Sequence, residues 1–502
     1  MKKINVLAKP LATCSALLAS LLVLAGCSLA PTYKKPDVAT PAAFKEAPAT
    51  ETANGTWKTA QPSEELARGE WWTAFGDASL NDLEKQAADA NQNLKAAAAR
   101  VKEARALNQA ARAGLFPTLD AGFGPTREKL SAASQLEPDG RNIAQQTLWR
   151  AQASASYEVD LFGRVSNTVS AAKADQQQSE ALFRSVQLAL QADVAQNYFS
   201  LRELDSEAQI FATTVDLREQ ALKLVQNRFD EGETSELDLA RAKSELASAR
   251  ADAMTVQRLR AASEHSLAVL LGKNPSEFGL AANPLTPIDV RIPPGLPSSL
   301  LERRPDIAAA ERAMAAANAR IGVAKAAFFP SLSLTGTGGF EAATLADLFK
   351  WSSRAFLLGP LAGTALTVPI FDGGKRKGNL ANARAVYEED AANYRQQVLV
   401  AFREVEDNLS DLRILDDQTK AQADAVSASN RAAQLSRTQY TEGAVNYLDV
   451  IDAERTVLQS QRTAAQLTGL QATATVNLIR ALGGGWGDQA AGSAQTTNVA
   501  TR

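Results

Sequence analysis

Few residues in this chain are of types that do chemistry: two cysteines, one histidine and three methionines in 502 residues. Cys27 closes Leu24-Ala25-Gly26-Cys27, at the end of an apolar or small-residue stretch over positions 11 to 25 that follows Lys2 and Lys3. That is the layout of a cleaved secretory signal. A thiol at the cleavage position can be alkylated with a diacylglycerol and the freed amino group acylated. Residues 1–26 therefore read as a lipoprotein signal peptide and Cys27 as the lipidated first residue of the mature chain. Three acyl chains anchor firmly, at about 0.8 kcal/mol per buried methylene. Ser28 follows rather than Asp, which for such a lipoprotein implies sorting to the outer membrane. Cys14 leaves with the signal, so no internal disulfide is expected despite an oxidising compartment.

The remaining chemistry is sparse. His265 lies in an Ala/Leu/Ser helical run with only Glu264 beside it, and Met254 and Met314 complete the soft ligands of the mature chain. No Cys/His cluster of metal-ligand spacing exists, so no metal site and no cofactor beyond the lipid are expected. There is no Gly-x-Ser-x-Gly elbow and no Walker lysine loop, which leaves an enzyme without residues to work with. With 53 Lys+Arg against 56 Asp+Glu and the basic residues dispersed, the chain carries no nucleic-acid footprint.

The elements must therefore carry the function. No stretch after Cys27 offers eighteen uninterrupted apolar residues, which excludes a transmembrane helix and leaves a β-barrel open. Residues 116–130 and 147–162 are short and rich in Thr, Ser and aromatics, joined by a polar loop over Ser131–Gln146. Residues 329–340 and 359–371 repeat the arrangement across Glu341–Leu358. Such segments have the length of tilted membrane strands, about 9 to 11 residues, with Trp149, Tyr157, Phe162, Phe340, Trp351 and Phe371 available for interfacial girdles.

Elsewhere the pattern is helical. Val165–Asn227 and Leu380–Thr438 have Leu, Val and Ala at three- and four-residue intervals, and neither contains proline or glycine. At 1.5 Å per residue each such helix would span on the order of 90 to 100 Å. Return helices follow over Glu236–Leu271 and Tyr447–Leu482, and shorter helices are expected at 78–114 and 300–328.

The chain is also written twice. Phe116-Pro117-Thr118-Leu119 returns as Phe329-Pro330-Ser331-Leu332, Arg228-Phe229-Asp230-Glu231-Gly232 as Gln439-Tyr440-Thr441-Glu442-Gly443, and Leu270-Leu271-Gly272 as Ala481-Leu482-Gly483. The offset is roughly 210 residues, far beyond a solenoid period, so it marks a duplicated half-molecule. The expected domains are a signal at 1–26, a lipidated segment at 27–77, a first repeat at 78–273 with its hairpin over 116–162, a linker at 274–299, a second repeat at 300–487 with its hairpin over 329–371, and a disordered tail at 488–502. Four strands cannot close a barrel and an open edge cannot face lipid, so closure needs oligomerisation, and a homotrimer would supply twelve strands.

Trp71-Trp72-Thr73-Ala74-Phe75-Gly76-Asp77, Leu115-Phe116-Pro117, Tyr157-Glu158-Val159-Asp160-Leu161-Phe162-Gly163-Arg164, Glu302-Arg303-Arg304-Pro305-Asp306 and Pro369-Ile370-Phe371-Asp372-Gly373-Gly374 stand in this order. They resemble the lipoprotein (NodT/OprM-type) branch of the TolC-like outer membrane factors, the exit ducts of tripartite efflux pumps. The resemblance implies an α+β fold: a trimeric outer membrane β-barrel, four strands per chain, continued by a long periplasmic α-helical barrel. It implies passive conduction of drugs or other small toxic compounds. It also implies two partners, a periplasmic membrane-fusion adaptor docking on the helical tips at Glu231, Gly232, Glu442 and Gly443, and an inner-membrane transporter of the resistance-nodulation-division type.

Carried onto this sequence, the family's aperture aspartates fall on Asp449 and Asp452, with Leu448 as a candidate hydrophobic constriction. The spacing also gives Asp449 a second role, capping the return helix with Asn446 as Ser235 and Asp238 would do in the first repeat. Asp452 has Arg241 as its repeat counterpart, which makes that arginine a candidate partner. The basic tip residue of some relatives is Val445 here. The alternatives are a duct for type I protein secretion or metal-ion efflux, and a lipid-anchored coiled-coil spacer.

Overall fold

The computed structural model describes residues 28–38, 40–41, 43–46, 70–129, 144–288, 290, 300, 303–358 and 366–484; the signal segment, Cys27 and the stretch 488–502 lie outside the described residues. In chain order the elements are α1 (Ala78–Ala90), α2 (Gln92–Ala113), β1 (Thr118–Glu128), β2 (Gln146–Val159), α3 (Arg164–Asp230), α4 (Glu236–Leu270), α5 (Pro305–Ala326), β3 (Ser331–Ala342), β4 (Arg354–Leu358), β5 (Leu366–Thr367), α6 (Lys375–Thr441) and α7 (Tyr447–Ala481). The chain divides into two compact units.

The first unit gathers residues up to 36, 101–179 and 310–394 and contains the sheet. Its order is β1-β2-β3-β4, with β5 beside β3 and every pairing antiparallel. The β2–β3 ladder joins the two hairpins side by side, from Trp149 opposite Ala342 to Val159 opposite Leu332. Alternate residues of a strand face opposite sides, so this register sorts the side chains. One face carries Leu119, Phe123, Trp149, Tyr157, Leu334, Phe340 and Phe356; the other carries Asp120, Arg150, Ser154, Ser156, Thr335, Thr337 and Glu341. Among the described residues β1 has no strand on its outer edge.

The fourth strand departs from expectation. Arg354–Leu358, read from sequence as part of the connection between strands, pairs with Gly336–Phe340 as β4; of the expected 359–371 strand, residues 359–365 lie outside the described residues and Leu366–Thr367 pairs with Ser331–Leu332 as β5.

In the same unit, the residues after Cys27 lie along the helices as an extended strap. Ser28 Oγ donates to Asn167 Oδ1 (3.2 Å), Asn318 Nδ2 to the Pro31 carbonyl (2.9 Å), and Lys35 pairs with Glu311 (3.6 Å). Gly322 makes room for this strap, since a Cβ there would lie 2.7 Å from both Ala30 and Asn167.

The second unit holds the remaining residues. Its core packs Trp71, Trp72, Leu80 and Leu83 against Tyr198, Phe199, Leu267, Val476 and Ile479, with alanines such as Ala192, Ala195 and Ala472 allowing close helix approach. The expected helix 78–114 breaks at Asn91. Its amide donates to the Leu270 carbonyl (2.8 Å) at the end of α4, while its Oδ1 accepts from Leu94 N (2.9 Å) and caps α2. Arg304, just before α5, meets the Ala481 carbonyl at the end of α7 in the same manner (3.1 Å) and also binds Glu404 (2.6 Å) and Asp306 (2.6 Å). Burial works against its charge, but these two carboxylates hold its pKa above the usual arginine value.

Candidate functional site

Two helical hairpin turns in the second unit carry the sequence-predicted tip residues. α3 ends at Asp230 and α6 at Thr441, each in the same turn. Glu233 N donates to the Arg228 carbonyl (2.7 Å) and Gly232 N to Phe229 (3.0 Å), while Ala444 N donates to Gln439 (2.8 Å) and Gly443 N to Tyr440 (3.1 Å). This pair of bonds requires a left-handed residue. Gly232 and Gly443 supply it with φ of 78° and 74°. Glu231, Gly232, Glu442 and Gly443 are all exposed, and a Cβ on either glycine would meet nothing within 4 Å. The turns differ in charge: Asp230, Glu231, Glu233, Glu236 and Asp238 crowd the first, where the second has Thr441, Glu442, Ala444, Tyr447 and Asp449.

Beneath the turns lies a cluster of Val225, Leu239, Tyr440, Tyr447, Val450 and Ile451, with the two tyrosine rings 5.4 Å apart. Burial, with Glu454 and Tyr440 adding, raises the Tyr447 pKa well above the ordinary phenol value, so it stays a neutral packing group. Leu448 lies outside this cluster and is 41% exposed.

The structure separates the two aspartates. Asp449 Oδ2 accepts from Asn446 N (3.1 Å), one half of a capping box whose other half is Asn446 accepting from Asp449 N; at α4 Ser235 makes that second contact, accepting from Asp238 N (3.2 Å). Asp452 is exposed and takes no part in the cap; its cationic neighbour is Arg455 on the same helix, 3.9 Å away. Arg241, expected as a partner of Asp452, instead pairs with Asp238 one turn back on α4 (3.2 Å), because that carboxylate is within reach on its own helix face.

Two links between the hairpins were not read from sequence. Arg228 of α3 donates to the carbonyls of Tyr440 (3.2 Å) and Thr441 (3.1 Å) and stands 4.8 Å from the centre of the Tyr440 ring, so it closes the end of α6. Its repeat counterpart is Gln439, and that mismatch was the one visible signal. Glu245 of α4 is buried and held from two sides, by Arg218 of α3 (3.1 Å) and by Arg455 of α7. Arg455 therefore connects the turn bearing Asp452 to the other hairpin.

The arrangement offers charge, apolar contact and helix ends. Among the described residues no group of three His, Cys, Asp or Glu could hold a metal, and no helix is long and apolar enough to cross a membrane. Comparison with known proteins gives the family. The outer membrane efflux protein family matches residues 83–273 and again 296–484. The toluene efflux pump outer membrane protein TtgF of Pseudomonas putida is 34% identical over 470 residues, 93% of this chain and 95% of its own length. The cation efflux system protein CusC of Escherichia coli is 33% identical over 469 residues, 93% of this chain and 97% of its own. The solved outer-membrane channel OprN superposes with a TM-score of 0.82 at 30% identity, over 92% of this chain and 100% of its own. The chain belongs to the outer membrane efflux protein family, and is an outer membrane efflux channel component rather than an enzyme.

Proposed function

We propose that three copies of this chain close one twelve-stranded β-barrel and form the exit duct of a tripartite pump, passively conducting drugs, solvents or similar small toxic compounds. The observation that carries this reading is the sheet, one face mostly apolar and aromatic with Arg127 and Arg354 among them, the other mostly polar, with the outer edge of β1 left without a strand among the described residues. A sheet so divided suits lipid outside and water inside, and its free edge requires a neighbour in a bilayer. Duplication of a half-molecule is supported by paired lengths: α3 and α6 have 67 residues each, α4 and α7 have 35, and α2 and α5 have 22.

In this reading Asp452, with Asp449 and Leu448 nearby, narrows the periplasmic aperture, and three symmetry-related carboxylates near one axis repel each other and attract cations. The Arg455–Glu245 and Arg228–Tyr440 links hold the hairpins that bear them. The turns at Glu231-Gly232 and Glu442-Gly443 receive the adaptor, which couples the duct to an inner-membrane transporter. Cys27 carries the lipid. The cargo is set by the transporter, and the name of CusC makes a cation duct the second reading. Native mass measurement and planar-bilayer recording of the purified protein test the proposal. A monomer without conductance rules it out.

A further inference from the structure

Among the described strand residues, the polar face of the sheet holds a single basic side chain. Arg150 of β2 donates through Nε to Glu341 Oε2 on β3 (2.6 Å) and through Nη2 to Glu128 Oε2 on β1 (3.0 Å). One guanidinium thus spans three strands and both hairpins, a use of the planar fork that a lysine could not reproduce. All three side chains are partly accessible, at 29%, 29% and 23%. Asp120 and Glu158 add two more carboxylates to the same face, so acids outnumber the one base. Glu128 and Gln146 form the last pair of the first hairpin, which places the cluster at the end of the sheet away from Val159 and Arg164, where the chain enters α3.

We propose that Glu128, Arg150 and Glu341 form a charge-selecting collar inside the outer end of the barrel. The inference rests on the barrel reading above. Within one chain the cluster carries two negative charges and one positive, so three copies ring the lumen with an excess of negative charge. Ions passing within a Debye length, about 8 Å at physiological salt, sense that ring, and cations are favoured. Arg150 neutralises half of the collar and fixes where the rest is held, so it sets the strength of the preference as well as joining the strands.

The test is the reversal potential of the full-length protein in a planar bilayer under a potassium chloride gradient. Arg150→Gln should raise the potassium-to-chloride permeability ratio by about twofold or more, and the double variant Glu128→Gln, Glu341→Gln should lower it below wild type. Arg150→Lys serves where Gln disturbs folding: it keeps the charge while losing the fork, so selectivity should stay near wild type while resistance to heat falls. Reversal potentials equal to wild type in both charge variants, with only stability altered, overturn the collar and leave the strand-joining role. A wild-type protein that gives no conductance at all overturns the barrel itself.

Discussion

Asp449 and Asp452 are three residues apart on one helix and are bound to different things. Asp449 is engaged by the backbone N–H of Asn446, so its loss should cost α7 about 0.5 to 2 kcal/mol of cap stability, with a small effect on conduction. Asp452 is exposed, and among the described residues its ion-pair partner is Arg455 at 3.9 Å, so its loss should leave folding nearly unchanged. Single-channel recording separates the two. Asp452→Ala is expected to raise conductance, weaken cation selectivity and, in cells, admit bulky antibiotics such as vancomycin. Unchanged conductance and selectivity would sink its aperture role while leaving the fold standing. Arg228→Ala removes two bonds to the end of α6 and the ring contact with Tyr440, which together should cost about 1 to 3 kcal/mol. If the two hairpins depend on that contact, the variant should melt earlier and its closed periods in the bilayer should shorten. A melting curve and dwell times identical to wild type would remove Arg228 from the account.

At the scale of elements, α1 carries a buried acid with no counterpart. Glu84 is 1% exposed, and among the described residues neither carboxyl oxygen has a hydrogen-bond partner. Burial pushes its pKa up to about 9, against about 4.3 for a free glutamate. The folded state then keeps a proton that the unfolded chain releases. Its contribution to stability is complete below about pH 4.3 and falls as pH rises toward about 9, at no more than 1.36 kcal/mol per unit. Glu84→Gln, which cannot ionise, should match wild type near pH 4 and exceed it in melting temperature at pH 8. Parallel melting profiles from pH 4 to 9 would show that the carboxyl finds a partner.

The elements also show what the sequence made legible. α3, and α6 from Leu380 onward, were readable because apolar residues recur every three or four positions without proline or glycine; the observed ends lie within five residues of the expected ones, α6 starting earlier and taking in Gly378. Asn91 was not, because an asparagine followed by Gln92 and Asn93 in an otherwise helical run looks like helix filler until the Leu270 carbonyl it serves is brought beside it. The capping of α7 by Asp449 was legible for the opposite reason, since cap and partner are three residues apart. Arg455 and Glu245 are 210 residues apart, and no local pattern announces that they meet.

At the scale of the whole molecule, the strap that begins at Ser28 follows directly on Cys27, the residue proposed to carry the lipid. Ser28 is bonded to Asn167, and the strap beyond it is held by Asn318 and Glu311, so those contacts do not depend on the thiol one residue earlier. Cys27→Ser, exported with an ordinary cleavable signal, should therefore lose all labelling by palmitate yet keep its melting temperature in detergent, within the roughly 0.5 kcal/mol expected of a surface change. Closing Gly322 to the strap should do the reverse. Gly322→Val places a side chain where Ala30 and Asn167 already lie within 2.7 Å, so labelling at Cys27 should persist while limited proteolysis cuts the residues after it. Partial pump function should survive in Cys27→Ser, because a closed barrel holds itself in the membrane without help from acyl chains. Palmitate on the Ser variant would show that Cys27 is not the acylated residue. Complete loss of the Ser variant from outer-membrane fractions would show that the barrel needs the lipid to insert.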